Sequence, residues 1–312
     1  MSGHPATAGS IVVGVDGSER GLVGVRWAAR EARRTGAPLC VVSVVPTFSP
    51  SGPLLMIPES DLRGHGTRVV EESVAAARQE APVVDVTGDV VSGHRVSELV
   101  HVSRHASLLV LASRRLSLAE HVWTGATVTG VVSRATCPVL VVPPSWEPSS
   151  LDDTGDVVVG FKQPRHADEL LGAAFAVAAD LGTGLRVLHT WRLDSAYDDM
   201  IAGHHEEETE WTREERGVIE RQLRDLRDRY PEVPVTVEVI HDRPTRALVD
   251  ASAGAQRLVI GKPAHGGSMH HLGRTARGVL RGSACPVEVL PVSRAPVYSG
   301  LDVERRGHLV RE

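Results

Sequence analysis

Hydrophobic positions along this chain alternate between two periods. Residues 11–15, Ile-Val-Val-Gly-Val, form a short apolar run of mainly β-branched residues that breaks at Asp16-Gly17-Ser18. That is the pattern of a strand buried on both faces and closing in a tight turn. Leu22, Val25, Trp27, Ala28 and Ala32 then recur at helical spacing, which predicts a helix starting near Ser18. Further strand runs lie at 39–45, 83–91, 108–111 and 139–142, separated by helical stripes at 69–77, 96–105 and 128–132. Five strands alternating with helices predict right-handed crossovers and a parallel sheet covered on both faces.

Residues 143–156, with three prolines and only Trp146 and Leu151 to bury, read as a linker. The pattern then starts again. Gly160, Gly182 and Leu185 each stand 146 positions after Gly14, Gly36 and Leu39 in matching contexts. The motif Cys-Pro-Val-x-Val-x-Pro occurs at Cys137 and again at Cys285, each time twelve residues after a glycine, Gly125 or Gly273. A seven-residue match at the same place in both halves identifies a tandem duplication.

Composition narrows the class. The 312 residues suffice for two domains, and 42% hydrophobic with 23% charged residues is ordinary for a globular protein. A net charge of −5 without a basic stripe argues against nucleic acid as a partner. Three cysteines, one inside a strand run, argue for a reducing compartment. Residues 1–10 contain no apolar stretch of signal-peptide type, and the apolar runs are too short to span a bilayer. A cytoplasmic protein without membrane contact is the expectation.

The opening Val-Val-Gly-Val-Asp-Gly-Ser, the loop after the fourth strand and the terminal Cys-Pro-Val-x-Val-x-Pro resemble the universal stress protein family. Two such domains are expected, at 9–146 and 155–293, followed by a polar tail at 294–312. The resemblance implies an α/β fold of two Rossmann-like or flavodoxin-like domains. Each would hold a five-stranded parallel sheet in order 3-2-1-4-5, covered by helices on both faces. The ligand crevice of such a sheet lies at the carboxyl ends of strands one and four. Family members that bind ATP place the first-turn acid near adenine and ribose and cradle phosphates in a loop Gly-x2-Gly-x9-Gly-Ser/Thr. The resemblance therefore implies ATP as cofactor, with contacts from Gly14, Asp16, Val42, Ala112, Ser113, Arg115, Gly125 and Thr127. In the second half it points to Gly261, Gly273 and Thr275.

Both halves depart from that loop. The first reads Ala112, Arg115, Gly125 and Ala126 at the four positions, so one glycine remains. The second keeps Gly261 and Gly273 but has Ala264 for the middle glycine, a shorter spacer and Arg274 after the last. Its first-turn acid is replaced by Lys162. Lys162, Lys262 and Arg274 together would favour a small anion or polyphosphate there, whereas ATP is expected in the first half, one per chain.

Other candidates have plainer readings beside them. Asp16 is either a ligand contact or, on the plainer reading, a cap for the following helix or a turn residue. Arg114 and Arg115 are phosphate binders or solvated charges. His265, His270 and His271 lack an acid or thiol at ligand spacing, so no metal is expected. The run 206–229 reads as an amphipathic crossover helix. Cys137 and Cys285 read as buried packing residues at the base of the fifth strand. No nucleophile elbow, Walker loop or carboxylate pair is present, which argues against covalent catalysis. The expected function is a nucleotide-responsive stress protein. Alternatives are a nucleotide-independent scaffold that acts through an unidentified protein partner, and a slow ATP hydrolase or nucleotide-dependent transferase. The final strands of the two halves are apolar sheet edges that need covering. The resemblance implies that they pair with each other about a pseudo-twofold within one chain, with homodimerisation between chains beyond that.

Overall fold

The computed structural model describes residues 8–47, 58–113, 124–147, 155–162, 167–191, 205–263 and 272–292. Arg114, Arg115, His265, His270, His271 and the polar tail 294–312 lie outside the described residues. The first half contains β1 (Ile11–Val15), α1 (Glu19–Thr35), β2 (Leu39–Val45), α2 (Glu59–Glu80), β3 (Val86–Ser92), α3 (Arg95–Val102), β4 (Leu108–Ala112), α4 (Thr124–Arg134) and β5 (Val139–Val142). The second contains β6 (Val157–Phe161), α5 (Ala167–Leu181), β7 (Leu185–Trp191), α6 (His205–Arg229), β8 (Val235–His241), α7 (Pro244–Ser252), β9 (Arg257–Pro263), α8 (Arg274–Gly282) and β10 (Val287–Val292).

Local chemistry sets most of these bounds. The Ser18 hydroxyl caps α1 by accepting from the Gly21 N–H at 3.1 Å, and Gly36 ends the helix in the left-handed region at φ 69°. β3 begins at Val86, three residues later than the apolar run suggests. Ala81 N–H still donates to Ala77, and Val84 N–H donates back to Ala81. That turn leaves Val83 out in solvent, 84% exposed. The charge-rich run forms α6, which buries Ile219, Leu223 and Leu226.

The ten strands of the described residues form one sheet in the order β3-β2-β1-β4-β5-β10-β9-β6-β7-β8. Within each half the pairs are parallel and the order is 3-2-1-4-5. The seam is antiparallel: β5 pairs β10 with Leu140 opposite Glu288. Each apolar edge thus covers the other. On one face, α3, α4, α7 and α8 share a single apolar cluster that crosses the seam from Leu109 and Val139 to Val287 and Leu258. On the other face the cores are separate, one under α1 and α2, the other under α5 and α6.

Candidate functional site

Strand order reverses between β2-β1 and β4-β5, so the crossover helices leave the carboxyl ends of β1 and β4 toward opposite faces and open a crevice there. In the first half this crevice is a cleft of about 600 Å³. Gly14, Asp16, Val42, Ala112 and Thr127 all line it: Gly14, Asp16 and Ala112 from the ends of β1 and β4, Val42 from within β2 and Thr127 from the first turn of α4. Its floor is apolar, from Val42, Leu99 and Leu111. Its rim carries Asp16 and Ser18 on one side and Arg20, His94 and Arg95 on others. The N-terminal turns of α1 and α3 and the first turns of α4 also open on it, each presenting partial positive charge.

Asp16 does not cap α1, a role that Ser18 takes; it is a turn residue that also lines the cleft. Its Oδ1 accepts from the Ser18 N–H at 3.1 Å and the Ser18 hydroxyl at 2.6 Å, which fixes the turn, while the exposed residue faces the cleft. Gly17 makes that turn feasible at φ 79°, where its Cα lies so close to α2 that a Cβ would stand 2.8 Å from Val69. Gly14 has a different reason. It is extended, and an added Cβ would stand 2.9 Å from Leu111 and 3.2 Å from Leu99, so its hydrogen lets β1 lie against both leucines.

Ser113 does not line the cleft. Its N–H and hydroxyl both donate to the Val142 carbonyl, at 2.9 and 3.3 Å, and tie the end of β4 to β5. Gly125 stands in the first turn of α4, and Arg115 lies outside the described residues. Arg20, His94 and Arg95 were not among the sequence candidates. The usable signal was position: His94 and Arg95 directly follow a strand end and Arg20 follows the cap of α1, the places that a doubly wound sheet turns toward its crevice.

The second half places its candidates differently. Gly261 lies inside β9, which runs on to Pro263; Gly273 is the cap of α8, and Thr275 stands in its first turn. Lys162 and Arg274 are exposed. Lys262 corrects the expectation of an anion cluster there. It is 5% exposed and donates from Nζ to the Ala135 carbonyl, at the C-terminal end of α4 in the other half, at 2.7 Å. Burial pulls its ammonium down to about 8.

The thiols of Cys137 and Cys285 are pushed up to about 11 by burial, and burial raises that of Cys40 as well. They are packing residues in the neutral form. Among the described residues no three His, Cys, Asp or Glu side chains gather as metal ligands. No helix of the described residues is long and apolar enough to cross a membrane. Chemically the cleft offers an apolar floor for a flat group, an acceptor at Asp16 and a cationic rim for an anion.

The sequence profile described as the universal stress protein family matches residues 8–143 and 154–291. A universal stress protein of Mycobacterium tuberculosis (strain ATCC 25618 / H37Rv) is 29% identical over 317 residues, 95% of this chain and 99% of that protein. One from Mycolicibacterium smegmatis is 28% identical over 293 residues, 91% of this chain and 98% of its own. The crystal structure of a universal stress protein from Archaeoglobus fulgidus superposes with a TM-score of 0.67 at 18% identity, covering 93% of this chain and 98% of that one. That last likeness is one of fold.

Proposed function

Because this chain belongs to the universal stress protein family, we propose that it is a nucleotide-responsive stress protein that takes ATP in its first-half cleft, one per chain. The observation that carries this reading is the meeting of Gly14, Asp16, Val42, Ala112 and Thr127 around a cleft of about 600 Å³. That volume suits a nucleotide-sized ligand. The adenine rests on the Val42, Leu99 and Leu111 floor, Asp16 accepts from ribose or the adenine amino group, and the phosphates face the first turns of α4. Arg20 and Arg95 supply positive charge, and His94 a polar ring, that compensate in part for the absent loop glycines. The second half has Lys162 for Asp16, and Lys262 is committed to Ala135, so it lacks both the acceptor and one of its three cations.

In this reading the two domains span 9–146 and 155–293, the protein works in the cytoplasm, and ligand binding alters its association with a protein partner or a second copy. Calorimetric titration with ATP, ADP and AMP tests it: about one site per chain is expected. Two equal sites would refute the asymmetry. Absence of binding would favour the nucleotide-independent scaffold, a reading that the loss of loop glycines at Ala112 and Arg115 supports. Phosphate release above a blank would move the protein to the ATP hydrolases.

A further inference from the structure

Arg257 of β9 lies at the seam between the halves and is 4% exposed. Its Nη1 donates to Glu288 of β10 and its Nη2 to Glu31 of α1, both at 3.0 Å, with the guanidinium 5.0 Å from the centre of the Trp27 ring. Glu31 also accepts from two nitrogens of Arg34, at 2.8 and 3.0 Å, and Arg34 reaches Asp180 of α5 at 3.5 Å. Burial opposes the charge on Glu31, but Arg257 and Arg34 more than offset it and hold its carboxyl below the usual range. Five charges from both halves form one network around the seam.

The pseudo-twofold between the halves makes every contact in this network one-sided. Arg34 and Asp180 occupy equivalent places, 146 positions apart, so this ion pair straddles the axis. Leu140 and Glu288 are equivalent at 148 and face each other in the β5–β10 register. The equivalent of Arg257 is Leu108, at 149, and that of Glu31 is Val177, at 146. A pair of two first halves would set Arg34 against its own copy and put Leu108 where Glu31 needs Arg257. A pair of two second halves would bury Glu288 against Glu288, each beside its own Arg257, oppose Asp180 with Asp180 and give Arg257 a valine in place of Glu31.

We infer that this network is a pairing code that makes β5 and its flanking α1 a partner for the second half alone and excludes a like half from another copy. Attraction in the unlike pair and buried or facing like charges in both like pairs act in the same direction, which is how partner choice becomes steep. The apolar strands by themselves carry no such preference, since Val139, Leu140 and Val141 would seat on a second β5 as readily as on β10. The inference stands whether or not the cleft takes a nucleotide.

The full chain tests it through a protease site placed within 148–154. The folded protein is cut, unfolded in urea, refolded as a mixture of its two halves and weighed by native mass spectrometry. Unlike pairs should exceed like pairs by roughly a hundredfold, the equilibrium equivalent of one broken buried ion pair. In the variant Glu31→Val, Arg34→Ala, Asp180→Ala, Arg257→Leu, Glu288→Leu all five charges of the network are gone, and like pairs should rise to about half of the total, as random pairing requires. A milder pair of variants guards against misfolding: Asp180→Arg should lower the excess of unlike pairs about two- to fivefold, and Arg34→Asp added to it should restore that excess. Random proportions in the unaltered protein overturn the inference. So does an undiminished preference in the apolar variant, or an Asp180→Arg change that Arg34→Asp does not rescue.

Discussion

Lys262 Nζ donates to the Ala135 carbonyl at 2.7 Å, from the end of β9 in one half to the residue just past the C-terminus of α4 in the other. An ammonium at a helix C-terminus complements the helix dipole, yet this one is buried, and burial lowers its pKa from 10.5 to about 8. A base whose folded value lies below its unfolded value binds fewer protons in the fold. Stability from this group is therefore diminished below about pH 8 and recovers as pH rises toward 10.5. Cys137 and Cys285 act oppositely, because their raised thiols stay protonated after unfolded thiols ionise near 9. The comparison with Lys262→Met isolates the lysine. Relative to that variant, the unaltered protein should gain up to about 2 kcal/mol between pH 7.5 and 9.5, as read by urea unfolding at both pH values. A constant difference would show that Lys262 is not depressed.

Arg257→Met should destabilise the protein by about 3–5 kcal/mol, since it strands Glu31 and Glu288 as buried, underpaired carboxylates. Removing all three charges with Glu31→Val, Arg257→Leu, Glu288→Leu should cost much less, because no buried charge is left without a partner. Glu31 adds an acid signature. Its folded pKa is depressed from 4.5, so the stability it contributes is present above that value and is lost as pH falls through the folded value. Acid unfolding of Arg257→Met should lack much of that loss.

Asp16→Ala should weaken ATP binding roughly ten- to hundredfold, the range for a lost hydrogen bond to a charged group. Lys162→Ala should leave it unchanged. Unaltered affinity in Asp16→Ala by calorimetry would remove Asp16 from the site and leave it only as the acceptor that fixes the turn at Ser18.

Gly17→Ala should cost about 2–4 kcal/mol, from positive φ and from a Cβ pressed on Val69. Gly36→Ala shares the positive φ but meets nothing within 4 Å, so it should cost less, about 1 kcal/mol. Thermal unfolding of the two variants side by side separates strain from crowding.

Cys40, Cys137 and Cys285 are all buried, so the native protein should show no thiol that reacts rapidly with a disulfide reagent at pH 7.5. All three should react once the chain is unfolded in urea.

Several features were legible in the sequence because they rest on local periodicity and turn chemistry. The β-branched run at 11–15, the Asp16-Gly17-Ser18 turn and the Gly36 stop define β1 and α1 without reference to anything distant. The constant spacing from Gly14 to Gly160 and from Gly36 to Gly182 exposed the duplication, and the resemblance supplied the strand order and the meeting of Gly14, Asp16, Val42, Ala112 and Thr127. Local apolarity misled at Val83, which stands in a turn because Ala81 still closes the preceding helix.

What the tertiary structure alone decided is where the long charged side chains go. Glu31 and Arg257 are 226 positions apart, and no period or motif links them; only the antiparallel seam of β5 and β10 brings α1 over β9. Lys262 looked like a loop cation beside Gly261. Because β9 continues to Pro263, the two-residue alternation of a strand puts Lys262 on the face of Leu258 and Ile260, under the other half's helix. Periodicity tells a chain which face a residue takes within its own element. Which charge waits on that face depends on how two halves dock, and that is a property of the assembled sheet.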